Sequence, residues 1–402
     1  GKAFVSGTDI SGFTKFTSGA DGVTYERGID ECMSAIDAIP VTTLAVVDGW
    51  AVGGGLNIVC ACDLRLATPG ARFGSPIGRT LGNTLSAFSV ARIGGAVGIP
   101  IAKRMVLLGE IILAQELLDR GFLLKIVEPD ANLLNRLAES PVDVVWPALH
   151  GASGEDGALL ALLELQGVCF VGSDHRAARL AWDKPVAKTL VANAGGVTPR
   201  GVALSRDTFR ELGAPAVLEA LRGSFTVPLI VKPARGGSSQ GVTVVRDAET
   251  LARAMVAAYT YEDDAIVEHF VEGTEIAVGI VDLGDGPVAL PAVEIEPIGG
   301  DYDFEARYNA GETRFYAPAR ISDAAATGAA DLALLAHRAL GLRHLSRIDM
   351  IIDSEDRAWF LEANVLPGLT ETSMFPMAVE AAGYELGEVL ARLLARRAGA
   401  GR

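Results

Sequence analysis

Apolar and polar positions along this chain switch between two periods. Short runs of aliphatic and β-branched residues at 44–47, 229–233, 265–271 and 276–281 predict strands. Helical spacing at 101–121, 132–139, 158–166, 174–194, 331–340 and 377–397 predicts helices around them. Residues 142–146 read as a further buried strand, and 169–172 as a second short one.

The most informative pattern is SRIDMIIDSEDRAWFLEANVLPGLT, at 346–370. Runs at 348–352 and 358–361 flank Asp353-Ser354-Glu355-Asp356 and predict a hairpin turning near Glu355. Side chains two apart share a face, so Arg347, Asp349, Glu362 and Asn364 are expected together, with Asp349 opposite Glu362. Three oxygen donors and a guanidinium suit a hard cation such as Mg2+, and a solvated acidic face fits the same spacing. Pro367-Gly368 tips the balance, because a strand that presents polar groups and then breaks sharply places a loop at a site.

A second pattern puts Lys232 in the apolar run LIVKP, before the loop 234–241, ARGGSSQG. A lysine inside such a strand needs an anionic partner. The glycine-serine loop can fold N–H groups and hydroxyls over phosphates, or it can be a plain hairpin turn. It is no Walker A motif, since the lysine precedes the loop. The strand at 265–271 with Glu275 beyond it can hold adenine and ribose, or be an ordinary antiparallel partner. His150-Gly151 and 154–157 follow the strand at 142–146, where open α/β sheets bind ligands, although a lone histidine in a turn is more often structural. Lys184 and Lys188 fall on the helix at 174–194, where a lysine alone reads as solvated. The polar and aromatic stretch 301–316 reads as a lid, and 128–140 as a junction broken at Pro129.

Nearer the front, 43–65 runs from a buried strand through Gly53-Gly54-Gly55 into an apolar helix-like stretch. Glycines at a helix start let backbone N–H groups approach a ligand oxygen, and a tight turn needs the same residues. Together with AFVSGTDI (3–10), ARFGSPIGRTLG (71–82) and the run ending near Val127, this segment resembles the enoyl-CoA hydratase, or crotonase, superfamily. The resemblance implies a partial ββα-spiral over 1–127, with oxyanion donors at Thr8 and Gly54 and vestigial acyl-CoA binding there. Asn57 and Ile77 stand where the hydratases carry glutamates, so hydration by paired acid and base has no proton carrier. The family's first strands, before Gly1, and its helices after Val127 have no match, which points to a non-hydrating module.

HGASGEDG, WDKPVAK, VKPARGGSSQGV, VEGTE, YDFEARY, SRID and LEANVLPGLTETS, in that order, resemble the D-alanine:D-alanine ligases of the ATP-grasp superfamily over about 141–397. The implied fold is an α/β and α+β multidomain chain. An ATP-grasp core at 201–397 follows a remnant of the ligase N-terminal α/β domain at 141–200, joined through 128–140 to the crotonase-like segment. The resemblance places Lys184 and Lys232 on the ATP phosphates, with Ser238 above them. Glu268, Phe270 and Val271 line adenine, Glu275 takes the ribose, and Arg307 sits in the lid where relatives carry lysine. Asp349, Glu362 and Asn364 are implied to hold two Mg2+ ions, or Mn2+. Arg347, Ser238, Tyr308, His150, Ser373 and Gly368 form the implied catalytic set, Gly368 and Ser373 seating the second D-alanine, and Tyr308 favours a dipeptide product. The implied reaction moves phosphate from ATP to one D-alanine, and the second amine attacks the acyl phosphate while the lid excludes water. Its product serves peptidoglycan synthesis, and thereby cell-wall biogenesis and cell shape.

Family members open with a strand and a glutamate-bearing loop that orients the first D-alanine; nothing before Val142 matches it. ATP and Mg2+ binding with weak or absent ligation is therefore expected. Two other readings stay open: a non-catalytic fusion that binds nucleotide or acyl-CoA, and a crotonase-type acyl-CoA enzyme, against which Asn57 and Ile77 argue.

Composition narrows the picture. A chain of 402 residues, half of them apolar, predicts two or three domains with sizeable cores. The net charge of -15 argues against a non-specific nucleic-acid binder. Residues 1–130 carry 11 basic and 13 acidic groups, so nearly all the acidic excess lies beyond them, as expected for parts of different origin. Cys32, Cys60, Cys62 and Cys169 form no CxxC pair and read as reduced thiols in a cytoplasm. The longest uncharged run, 49–62, is too short and glycine-rich to span a bilayer, and no leader pattern opens the chain. It begins at Gly1 rather than methionine, which leaves room for an upstream segment. The expected partners are D-alanine and a second copy of the chain, with neither nucleic acid nor membrane.

Overall fold

The computed structural model describes residues 27, 30, 31, 33–36, 38, 43–76, 85–124, 129–139, 142–237, 240–297, 313–370 and 373–399. Thr8, Ile77, Ser238, Arg307, Tyr308, Cys32 and residues 301–312 of the expected lid lie outside them, while 313–316, expected as part of that lid, pair as a sheet strand with 293–297. The chain divides into two compact units, Gly1–Ser140 and Pro141–Arg402. Among the described residues no helix is long and apolar enough to cross a membrane.

The first unit begins with β1 (Leu44–Val47), β2 (Trp50–Val52), α1 (Gly54–Ala61), β3 (Leu64–Ala67) and β4 (Arg72–Gly74). It continues with α2 (Ala87–Val97), α3 (Ile99–Val106), β5 (Ile111–Leu113), α4 (Ala114–Asp119) and α5 (Leu133–Glu139). β1 pairs with β3 in parallel, and β2 runs parallel to β4, which pairs antiparallel with β5. The period of 2 sends Ala51, Phe73 and Ile112 into the core while Trp50, Arg72 and Leu113 stay exposed. Two expectations are corrected. β1 is only half-buried, because it has one described strand partner and Val46 is 70% exposed. The helix expected over 101–121 is broken: Gly109 turns the chain at φ 62°, and β-branched Ile111 and Ile112 pair with β4 instead.

The second unit opens with α6 (Ala152–Glu155), α7 (Ala158–Leu165), α8 (His175–Trp182) and α9 (Lys184–Asn193). Next come β6 (Gly201–Ser205), α10 (Arg206–Glu211), α11 (Ala214–Ser224), β7 (Leu229–Pro233), β8 (Thr243–Val245), α12 (Leu251–Tyr259) and β9 (Asp264–His269). β6-β9-β7-β8 form a four-stranded antiparallel sheet, and Val231, Val267 and Leu229 pack against Met255 and Leu221 of the covering helices. A six-stranded sheet follows, from β10 (Thr274–Asp282), β11 (Pro287–Ala289), β12 (Val293–Pro297), β13 (Thr313–Tyr316), β14 (Leu345–Ile352) and β15 (Ala358–Asn364). α13 (Asp323–Ala339) leads into its hairpin, and α14 (Met374–Ala381) and α15 (Leu386–Gly399) close the unit. At the entry to β10 a Cβ on Gly273 would lie 2.0 Å from the Ile352 carbonyl oxygen, so only glycine lets the strand start that close to β14.

Three more expectations change here. The helix expected over 174–194 is two helices, since Asp183 is extended and caps a new start with Pro185 in its first turn. The closing helix is also two, parted by Gly383 at φ 78°. The strands expected at 142–146 and 169–172 reduce to one parallel bridge, Val145 to Phe170. A short apolar run becomes a strand only where neighbours accept its backbone groups, and no third strand flanks this pair among the described residues.

Candidate functional site

The hairpin forms in the expected register. Arg347 pairs with Asn364 and Asp349 with Glu362, and a bulge follows at Asp349/Met350. Asp353 fixes the turn, accepting from the Glu355 and Arg357 backbone N–H groups and from Trp359 Nε1. On the polar face, Arg347 donates from Nε and Nη2 to the two oxygens of Asp349, both at 2.7 Å, and both side chains are buried. Burial alone would lower the Arg347 pKa; the Asp349 charge outweighs it and holds the guanidinium above its ordinary value. Asn364 Oδ1 accepts from the Leu366 backbone N–H at 3.0 Å, which fixes the break after the strand.

Lys184 starts α9, and three bonds tie that helix start to the loop after β7. The Lys184 backbone N–H donates to Ala234 O at 3.1 Å, Nζ donates to Gly236 O at 2.6 Å, and Asp183 holds Arg235. Lys184 Nζ also lies 3.3 Å from Glu362 Oε2. One ammonium therefore joins the glycine-serine loop to the hairpin. Ser238 in that loop is outside the described residues.

Lys232, on β7, meets Glu268 of β9 at 2.6 Å, and Lys188, one turn after Lys184, takes the other oxygen of the same carboxylate. Burial would raise the Glu268 pKa, but the two lysines lower it. Burial, then the Lys232 charge, pushes Lys188 down to about 8. For Lys232 the burial effect is outweighed by Glu268 and Glu362, so its pKa is raised. The split follows from two ammonium groups sharing one carboxylate. Both lysines lie close enough to the hairpin to feel the charge of Glu362.

His150 lies on the same side. Burial, then Arg347, lowers its pKa, keeping the ring neutral near pH 7. A Cβ added to Gly368 would meet Ser373 Oγ at 2.6 Å and His150 Nε2 at 3.8 Å, so these three expected residues come together. Phe270 and Val271 continue from β9, with Arg246 over the Phe270 ring at 5.4 Å, and Glu275 lies on β10 opposite Ile351.

Two residues of the cleft were not expected from sequence. Lys188 carries a signal, because residues four apart share a helix face and Lys184 was already a candidate. Glu155 falls in the 154–157 stretch already placed after a strand, but nothing in the pattern sets it apart from its neighbours. It accepts from the Gly151 N–H at 2.6 Å, and burial, partly opposed by that bond, raises its pKa to about 7; it also feels Arg347, Glu362 and Lys184.

In the first unit, Gly53 donates to Gly74 O at 3.0 Å, and Gly54 opens α1. Asn57 is wholly buried, and among the described residues neither its Nδ2 nor its Oδ1 has a hydrogen-bond partner; nor has the buried Ser75 hydroxyl.

Comparison with known proteins matches this geometry to a family. The model of the D-ala D-ala ligase C-terminus matches residues 190–395. The D-alanine–D-alanine ligase of Bordetella petrii is 36% identical over 284 residues, covering 71% of this chain and 85% of the relative. That of an Anaeromyxobacter species is 39% identical over 285 residues, covering 70% and 88%. This chain belongs to the D-alanine–D-alanine ligase family. Among solved structures, the ligase of Bacillus anthracis has TM-score 0.58 at 26% identity, covering 69% of this chain and 86% of its own. The ligase of Coxiella burnetii shares the fold at TM-score 0.58 and 20% identity, with 90% and 95% covered. The enoyl-CoA hydratase/isomerase model matches residues 1–141, in line with the crotonase-like resemblance of the front segment.

Proposed function

We propose that the second unit joins two D-alanines into D-alanyl-D-alanine at the expense of ATP, through an acyl phosphate of the first, for peptidoglycan precursors. The observation that carries this reading is the Lys184 ammonium, bonded at once to Gly236 O in the loop and to Glu362 on the hairpin, with Lys232 and Lys188 behind it. Phosphoryl transfer depends on position and charge neutralisation more than on covalent help. Lys184 and Lys232 hold the phosphates, and the loop folds over them. Arg347, fixed by Asp349, faces the transferring phosphoryl group and the second D-alanine's carboxylate. Gly368, Ser373 and neutral His150 seat that second substrate, the absent side chain at 368 leaving it room. Glu268, whose carboxylate the two lysines hold, lines adenine with Phe270 and Val271, and Glu275 takes the ribose. ATP as substrate places the reaction in the cytoplasm.

Asp349, Glu362 and Asn364 offer oxygen donors only, which fits Mg2+ or Mn2+. These residues would hold the metal, which neutralises phosphate charge when bound. In the structure Arg347 and Lys184 supply the positive charge against the two carboxylates.

The test is phosphate release by the purified chain with ATP, Mg2+ and D-alanine. Release that requires all three and disappears in Lys232→Met supports the reading; release indifferent to D-alanine contradicts it.

A second reading concerns the first unit alone, as a vestigial acyl-CoA binder at Gly54 and Thr8. The unpartnered Asn57 amide and Ser75 hydroxyl favour it, because buried polar groups without partners are costly unless a ligand or water meets them. Thermal shift with acyl-CoA against ATP-Mg2+ separates the two, since a ligand that binds only the folded state raises the melting temperature.

A further inference from the structure

The cluster around Glu268 contains one positive charge more than its carboxylate needs. Lys188 and Lys232 each hold one oxygen of Glu268, and the three residues are only 7%, 8% and 2% exposed. In the reading above, Lys232 meets the ATP phosphates, and to do so it must loosen its hold on Glu268. If Lys232 were the sole partner, its departure would strand a buried carboxylate, and breaking a buried ion pair by withdrawing one member is strongly unfavourable.

We propose that Lys188 is the positioning residue that removes this obstacle: it keeps Glu268 neutralised while Lys232 passes to the triphosphate. The placement fits the task. Lys188 follows Lys184 by one helical turn, so α9 presents one lysine to the loop and hairpin and keeps the other behind, on Glu268. The third strand of the sheet contributes too, because β6 packs tightly on β9 at this level. A Cβ at Gly201 would lie 2.7 Å from the Glu268 Cβ and 2.8 Å from the Val267 carbonyl oxygen, so only glycine lets β6 lie this close to the Glu268 backbone, on the side of β9 away from β7 and Lys232. With the carboxylate held in place, the ammonium moves and the second lysine stays. The depressed pKa of Lys188 agrees with its being the cation in surplus before nucleotide arrives.

This inference rests on the proposed role of Lys232, and the experiment separates the two. The dissociation constant for ATP-Mg2+ is measured by calorimetry on the full chain for Lys188→Met, Lys188→Arg, Lys232→Met, Glu268→Gln and the double variant Lys188→Met/Glu268→Gln, with melting temperatures and the KM for D-alanine alongside. Lys188→Met is expected to weaken ATP about tenfold or more, while the KM for D-alanine moves less than about twofold and the nucleotide-free melting temperature holds, since Glu268 still has Lys232. Lys188→Arg recovers most of the loss. The double variant binds ATP within about threefold of Glu268→Gln alone, because no buried charge is left to strand. A Lys188→Met protein that melts early but binds ATP normally would show a mere structural tie and overturn the proposal, as would a double variant no better than Lys188→Met. If Lys232→Met binds ATP normally, the reading of Lys232 fails first and takes the proposal with it.

Discussion

The two units bury polar groups in opposite ways. In the cleft of the second unit, Arg347 is matched by Asp349, Glu268 by two lysines, and Glu362 by Lys184, so the charges arrive already compensated. In the first unit, Asn57 lies where the hydratase resemblance implies a glutamate, and among the described residues its buried amide has no hydrogen-bond partner, nor has the Ser75 hydroxyl. A compensated cluster with a surplus cation is prepared for an anionic ligand. A neutral amide without partners has lost its proton chemistry and keeps at most a place for a ligand or water.

The largest expected effect sharpens this contrast from the second unit. Lys232→Met should lower D-alanine-dependent phosphate release about a thousandfold, through loss of a cation aimed at the phosphates, with stability little changed because Lys188 still neutralises Glu268. Steady-state phosphate assay and thermal melting check both halves.

Next comes Glu155. Its folded pKa, about 7, lies above the ordinary carboxylate value, so the folded state keeps a proton that the unfolded chain releases. Stability from this group is therefore full below about pH 4.5 and is lost as pH rises toward about 7, by at most about 3 kcal/mol. Urea midpoints measured from pH 4.5 to 7.5 should fall more steeply for the native chain than for Glu155→Gln. Parallel curves would show that burial does not raise the Glu155 pKa.

These sites differ equally in how far the sequence revealed them. The polar face of the hairpin was legible because a strand's period is fixed at 2 and the Asp353 turn sets the register, which together put Asp349 opposite Glu362. Lys232 was legible because a charge inside LIVKP demands a partner, and Glu268 on the paired strand supplies it. Lys188 and Glu155 were marked only faintly, by helix spacing from Lys184 and by position after a strand, because burial is what separates them from solvated residues and distant parts of the chain decide it. The split at Asp183 was missed for a related reason: helical spacing continues across the break, while Pro185 suits a first turn better than a helix interior. At 142–172 an apolar run read as a strand, yet ladder partners come from tertiary structure and only Val145 and Phe170 bridge.

Smaller effects probe the uncompensated side. Asn57→Leu replaces two unpartnered polar atoms by an apolar group of similar size and should stabilise the chain by about 1–3 kcal/mol in urea unfolding. A loss of stability would mean that a partner for the amide exists in solution. In the second unit, Gly368→Ala forces a methyl against Ser373 Oγ; the KM for D-alanine should rise about fivefold, with ATP affinity unchanged, equivalent to about 1 kcal/mol of crowding.

The most direct measurement is a crystal structure of the chain with a non-hydrolysable ATP analogue and Mg2+. The triphosphate is expected between Lys184 and Lys232 on one side and Asp349, Glu362 and Asn364 on the other, under the loop at 234–241. An analogue bound elsewhere, with the Lys184–Glu362 and Lys232–Glu268 pairs undisturbed, would contradict the account.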